Sequence, residues 1–166
     1  LDETKTLQAV ADTLGRIPRP TRKLEQTYTV EPPQDGERFV ELRRVGQGQD
    51  VIVAYHGPAA GHPDSAALQV LAGIMSGAGG GGRGGRGGGG GEGRLSKALV
   101  DTQKADSAGM GVTMLHDPGL ITLNAGLNKD QSLDEARKIL IATVEGVIQN
   151  PPTKQEVERV TTGLLR

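Results

Sequence analysis

Residues Ile121, Leu123, Ala125 and Leu127 alternate with Thr122, Asn124 and Gly126. A period of two places one set on each face of a strand, so the sheet that holds it is dry on one side only. Such a sheet must bury its dry face under helices. Two capping boxes offer them. Ser132-x-x-Glu135 opens a helix with Ala136, Ile139, Leu140, Thr143, Val144, Val147 and Ile148 on one face, which Asn150-Pro151-Pro152 ends. Thr153-x-x-Glu156 opens a second helix, which is still running at Arg166. The core between these layers has to be aliphatic, because the only aromatic residues are Tyr28, Phe39 and Tyr55.

The remaining segments fit the same plan. Asp2 to Leu14 has Leu7, Val10, Ala11 and Leu14 at helical spacing, and residues 21–36 read as an extended connector. Arg38–Val45 and Asp50–Tyr55 read as a hairpin, with the apolar second strand near the middle of the sheet. Ser65–Met75 reads as a largely buried helix and Arg94–Gln103 as a short one. Ser107–His116 is a strand, broken from the next by the Asp117-Pro118-Gly119 turn. The fold class predicted is α+β, a two-layer sandwich of a mostly antiparallel or mixed sheet with helices on one face. All of residues 1–166 fall in a single partial domain, and both ends read as cut through a helix. Within it, 13 of the 17 residues from Gly77 to Gly93 are glycine, a flexible loop inside the fold.

Several function classes drop out. Nineteen basic against 20 acidic residues, with three aromatics, argue against a nucleic-acid partner. No Cys is present, so thiolate zinc clusters and a cysteine nucleophile are excluded. No apolar run reaches the ~18–20 residues of a membrane span, and a soluble piece is expected. His56, His62 and His116 stand in no H-E-x-x-H or H-x-x-E-H frame and read as loop and turn histidines, although a loop metal site at His56 and His62 stays open. The glycine tract is followed by no Gly-Lys-Ser/Thr, so it is no phosphate loop. Glu135, Glu145, Glu156 and Glu158 read as caps and solvated helix faces.

The run Ala67-Leu68-Gln69-Val70-Leu71-Ala72-Gly73-Ile74-Met75, a glycine loop, then Gly93-Arg94-Leu95-Ser96-Lys97-Ala98-Leu99-Val100, resembles the insulinase/pitrilysin zinc metallopeptidases. His116-Asp117-Pro118-Gly119-Leu120, the helix start Pro152-Thr153-x-x-Glu156, and upstream Leu14-Gly15-Arg16-Ile17-Pro18 and Glu31-Pro32-Pro33 continue the likeness along the whole chain. The resemblance implies a mitochondrial-processing-peptidase-like half-domain of a peptide-cleaving enzyme. Zinc in that parent is held by an inverted H-x-x-E-H helix and a distal Glu, none of which maps onto this chain. No catalytic residue and no metal ligand is therefore expected here, and whether the parent is active stays open.

The family's substrate-directed Arg and Tyr fall at positions held here by Val100 and Ser107. The chain thus resembles the second half of the zinc-carrying domain, or of a degenerate relative, rather than the Arg/Tyr-supplying domain. The partners implied are a peptide or unfolded substrate, the remaining half-domain and a second homologous domain, with the parent in a periplasmic or secreted setting. The resemblance also implies that an extended peptide adds as a strand along Ser107–Val112. Ser107, Ala108, Gly109, Met110 and Gly111 are the substrate-binding candidates, small enough for close backbone approach. An ordinary edge strand with glycines at a bulge is the alternative. A scaffold module of the same fold and an unrelated α+β domain are the competing readings of function.

Overall fold

A computed structural model describes residues 2–18, 21–23, 34–46, 48–77 and 92–165. Most of the expected connector (24–33) and of the glycine loop (78–91) lies outside the described residues. Two compact units result, Leu1–Leu42 and Arg43–Arg166. In the first, α1 (Glu3–Thr13) begins where the Asp2 carboxylate accepts from the Lys5 N–H, and it tightens into a 3₁₀ turn at Leu14–Arg16.

The second unit holds a three-stranded antiparallel sheet of β1 (Gly48–His56), β2 (Ser107–Thr113) and β3 (Leu120–Asn128), in the order β1-β3-β2. Two expectations change. Residues 38–45 form no strand, and Phe39, Val40, Leu42 and Val45 are exposed. The expected hairpin is replaced by a long-range pairing, with β1 forming its ladder with β3. Nor is β1 central among the described strands: β3 takes that place, and the apolar run of β1 leaves Ile52 71% exposed.

Register aligns Val51–Ala125–Ala108, Val53–Leu123–Met110 and Tyr55–Ile121–Val112 in rows across the sheet. Opposed residues in a ladder point the same way, so these rows form its dry face. Leu123, Ala125 and Met110 are buried there. α3 (Leu133–Glu145) packs on β1 and β3 with Ala136 and Leu140 fully buried. The Ser132 hydroxyl caps it by accepting from the Glu135 N–H. It ends earlier than its periodicity suggests, leaving Ile148 exposed.

The short helix before β2 is wound as a π-helix over Ser96–Val100, where the Asp101 N–H donates to the Ser96 carbonyl five residues back. That winding turns Leu95 and Leu99 into the core beside β2. Gln103 stops it with φ 60°, in the left-handed region, while its carbonyl accepts from the Gln131 side chain.

α2 (Ser65–Ser76) packs along β2, and α4 (Lys154–Leu164) packs against α2. α2 is buried at Ser65 and at Ile74 to Ser76, and half-buried or exposed in between. Gly77, with φ 91°, terminates it. The chain re-enters the described fold at Glu92 and Gly93, directly against that terminus. A Cβ on Gly93 would sit 2.3 Å from the Ser76 carbonyl carbon.

Arg94 then clamps the returning chain to the start of α4. Its Nε and Nη2 donate to the two Glu156 carboxylate oxygens at 2.8 Å each, and Nη1 and Nη2 donate to the Asn150 and Pro151 carbonyls. Glu156 also completes the capping box, accepting from the Thr153 N–H and hydroxyl. Glu92 and Arg159 add an ion pair at 2.9 Å beside it. The Arg94 hydrogen bonds hold the Glu156 carboxyl down at about 2, against the opposing effect of burial, and the same bonds raise Arg94.

Gly93→Ala should destabilise the fold by about 2 kcal/mol or more, read by thermal or denaturant unfolding, because the backbone of α2 cannot yield to a Cβ. A lowered folded-state pKa contributes stability that is complete above the ordinary value of 4.5 and fades as pH falls towards about 2. Unfolding free energy should therefore decline between those pH values. Glu156→Gln should flatten that decline and cost about 1–2 kcal/mol at neutral pH.

Candidate peptide-binding strand

The five residues Ser107, Ala108, Gly109, Met110 and Gly111 all lie in β2, and the pleat divides them. Ala108 and Met110 point into the core, 7% and 3% exposed. Ser107, Gly109 and Gly111 belong to the opposite face, in register with Gly126, Asn124 and Thr122 of β3 and with Asp50, Ile52 and Ala54 of β1. That face is built from small and polar residues, with Asn124 and Ile52 exposed. A Cβ on Gly126 would meet Ser107 Oγ at 2.8 Å and Asp50 Oδ1 at 3.6 Å, so these two side chains lean over the glycine from both neighbouring strands. Pairing runs one-to-one from Ser107↔Gly126 to Thr113↔Leu120. The glycines of β2 therefore mark no bulge.

One edge of β2 faces β3 and the other faces α2. At that outer edge Ser76, the last residue of α2, is 3% exposed. Its Oγ accepts from the Met110 N–H at 2.7 Å and donates to the Met110 carbonyl at 3.0 Å. One hydroxyl thus satisfies both backbone groups that a neighbouring strand would take. Further along, Gln69 reaches Met114 Sδ at 3.6 Å and the Ala60 N–H donates to the Leu115 carbonyl, so α2 and its approach follow β2 antiparallel. Sequence reasoning missed Ser76. A serine between an apolar helix and a glycine tract carries no local signal, and its partner lies 34 positions away.

His56 ends β1 opposite Leu120, His62 Nδ1 accepts from the Asp64 N–H at 3.2 Å, and the exposed His116 lies 3.2 Å from the Asp117 carboxylate. Among the described residues no three His, Asp or Glu side chains gather where they would hold a metal ion. The described residues offer no donor set for the zinc that the resemblance implies for the parent. Glu135 pairs with Lys104 at 2.8 Å and Glu158 with Lys154 at 3.6 Å, roles of a solvated surface. Among the described residues no helix is long and apolar enough to cross a membrane.

Comparison with known proteins agrees with this architecture. Residues 1–164 match the family described as the peptidase M16 inactive domain. The inactive peptidase domain of a Bordetella parapertussis protein assigned as a zinc protease is 33% identical, with 76% of this chain and 62% of that one covered and a TM-score of 0.61. A Helicobacter pylori protease shares the fold at 21% identity and a TM-score of 0.79, covering 99% of this chain and 38% of its own. The peptidase M16 inactive domain from Pseudomonas fluorescens shares it at 18% identity and a TM-score of 0.60, covering 72% of this chain and 26% of its own. The chain spans less than two thirds of the length of each of these structures. No match is found among curated proteins. With agreement over nearly its whole length, the chain belongs to the peptidase M16 family, in the part of it described as the inactive domain.

Proposed function

We propose that this chain is a non-catalytic wall of a zinc metallopeptidase, and that it holds extended peptide against β2 while the zinc sits elsewhere in the parent. The observation that carries this reading is the one-sided sheet. Its dry face is filled by α3 and the π-helix, and its other face presents Ser107, Gly109, Gly111, Thr122 and Asn124. Small side chains on that face leave room for a peptide at close range, and the backbone along the β2 edge is the source of sequence-tolerant hydrogen bonds. The zinc ligands lie in another part of the parent, and a second homologous domain closes the chamber. The hold of Ser76 on Met110 favours a second reading, a scaffold module of the same fold that has ceased to take peptide.

Fluorescence anisotropy with a labelled unstructured peptide separates these readings. The chain should bind it, and Gly109→Val with Gly111→Val should weaken binding by about tenfold or more, roughly 1.4 kcal/mol. Both variants should keep the wild-type circular dichroism spectrum. Unchanged affinity in both would remove β2 as the contact, and no binding by wild type would favour the scaffold.

A further inference from the structure

We infer that the Ser76 hydroxyl is the residue that decides whether and where a peptide backbone can pair with β2. The inference rests on the strand-addition reading above and adds its control point.

In an antiparallel ladder successive residues direct their N–H and C=O groups to opposite sides. The two Met110 bonds to Ser76 therefore identify Met110 as outward-facing. The Gly111 carbonyl, which lies 3.5 Å from the Thr122 hydroxyl on the β3 side, fits the same alternation. Counting by twos, the outward pairs of β2 are Ala108, Met110 and Val112. Ser76 holds the central one, and α2 runs beside the stretch from Met110 towards Met114. Among the described residues α2 leaves only Ala108 of these uncovered, beyond its end. One backbone pair does not hold a strand, so β2 takes a peptide only when Ser76 releases Met110.

Ser76 behaves as a stand-in for a strand residue. It gives one donor and one acceptor at the correct spacing, and it is carried on a helix instead of a ladder. It protects the edge from unwanted pairing by the same contacts that a substrate would replace. Gly109 lies next to this point: a Cβ there would stand 3.6 Å from Ser76 Oγ, so an exchange of partner takes place over an open position.

Hydrogen exchange at Met110 and peptide affinity in Ser76→Ala test the inference together. With the hydroxyl removed, the Met110 amide should exchange at least ten times faster, while the Leu123 amide in the central strand keeps its rate. A fluorescein-labelled ten-residue peptide of alternating Val and Thr should bind the variant at least fivefold more tightly than wild type. The same peptide N-methylated at alternate amides should show no such gain. Ser76→Cys, with a weaker hydrogen-bonding group of similar shape, should fall between the two if Ser76→Ala fails to fold. Unchanged exchange at Met110 overturns the inference, as does equal peptide affinity in wild type and variant. Equal, measurable affinity leaves the strand-addition reading standing. Absence of binding by both proteins, with or without Ser76, brings down that reading and the inference with it.

Discussion

The structure depends on one dry sheet face, to which Tyr55 is the one aromatic contributor among the described residues. Its rows combine large and small aliphatic side chains, Val53–Leu123–Met110 beside Val51–Ala125–Ala108. The layer above answers in kind, with Leu95, Leu99 and Leu140 set among Ala105 and Ala136. Close packing of this sort leaves little room for adjustment, because each methylene already has neighbours on every side. It also explains the π-helix before β2. The wider winding adds a residue between two fixed points and sets Leu95 and Leu99 against the sheet.

Polar interactions then fix where the helices stand. Gly93 lets two backbones touch, and Arg94, the next residue, spends all three of its guanidinium nitrogens on the start of α4. Between them they join the end of α2, the approach to β2 and the last helix at one place. The bidentate geometry matters more than the charges. Arg94 and Glu156 are largely withdrawn from solvent, and the carboxylate has further donors from Thr153. An isolated surface ion pair such as Lys154–Glu158 has no comparable effect.

Functionally, the sheet separates two tasks by face. One side stabilises the domain, and the other, with its small and polar residues, is the side on which a peptide is proposed to lie. Asp50, Ser107 and Asn124 stand on that side without burdening the core. The outer edge of β2 belongs to neither task alone. Ser76 gives it a structural partner at the position where a peptide would otherwise pair.

Much of this was legible in the residues. The alternation in β3, the Ser132 and Thr153 caps, the Asp117-Pro118-Gly119 break and the Ala136/Leu140 face are local patterns, each set by interactions within a few positions of the chain. Local pattern also located β2 and its small residues. It failed where a partner distant in sequence decides. Residues 38–45 form no strand, β1 is apolar yet lies at an edge of the described sheet, and Glu156 reads as a cap without revealing Arg94, 62 positions earlier. Sequence by itself determined the capped helices, the strands β2 and β3 and the dry faces of β3 and α3, because backbone periodicity and capping act over a turn or two. Only the tertiary structure decided strand order, the clamp on α4 and the hold of Ser76 on Met110, because hydrogen bonds between distant residues exist only once packing has brought their atoms within 3 Å or so.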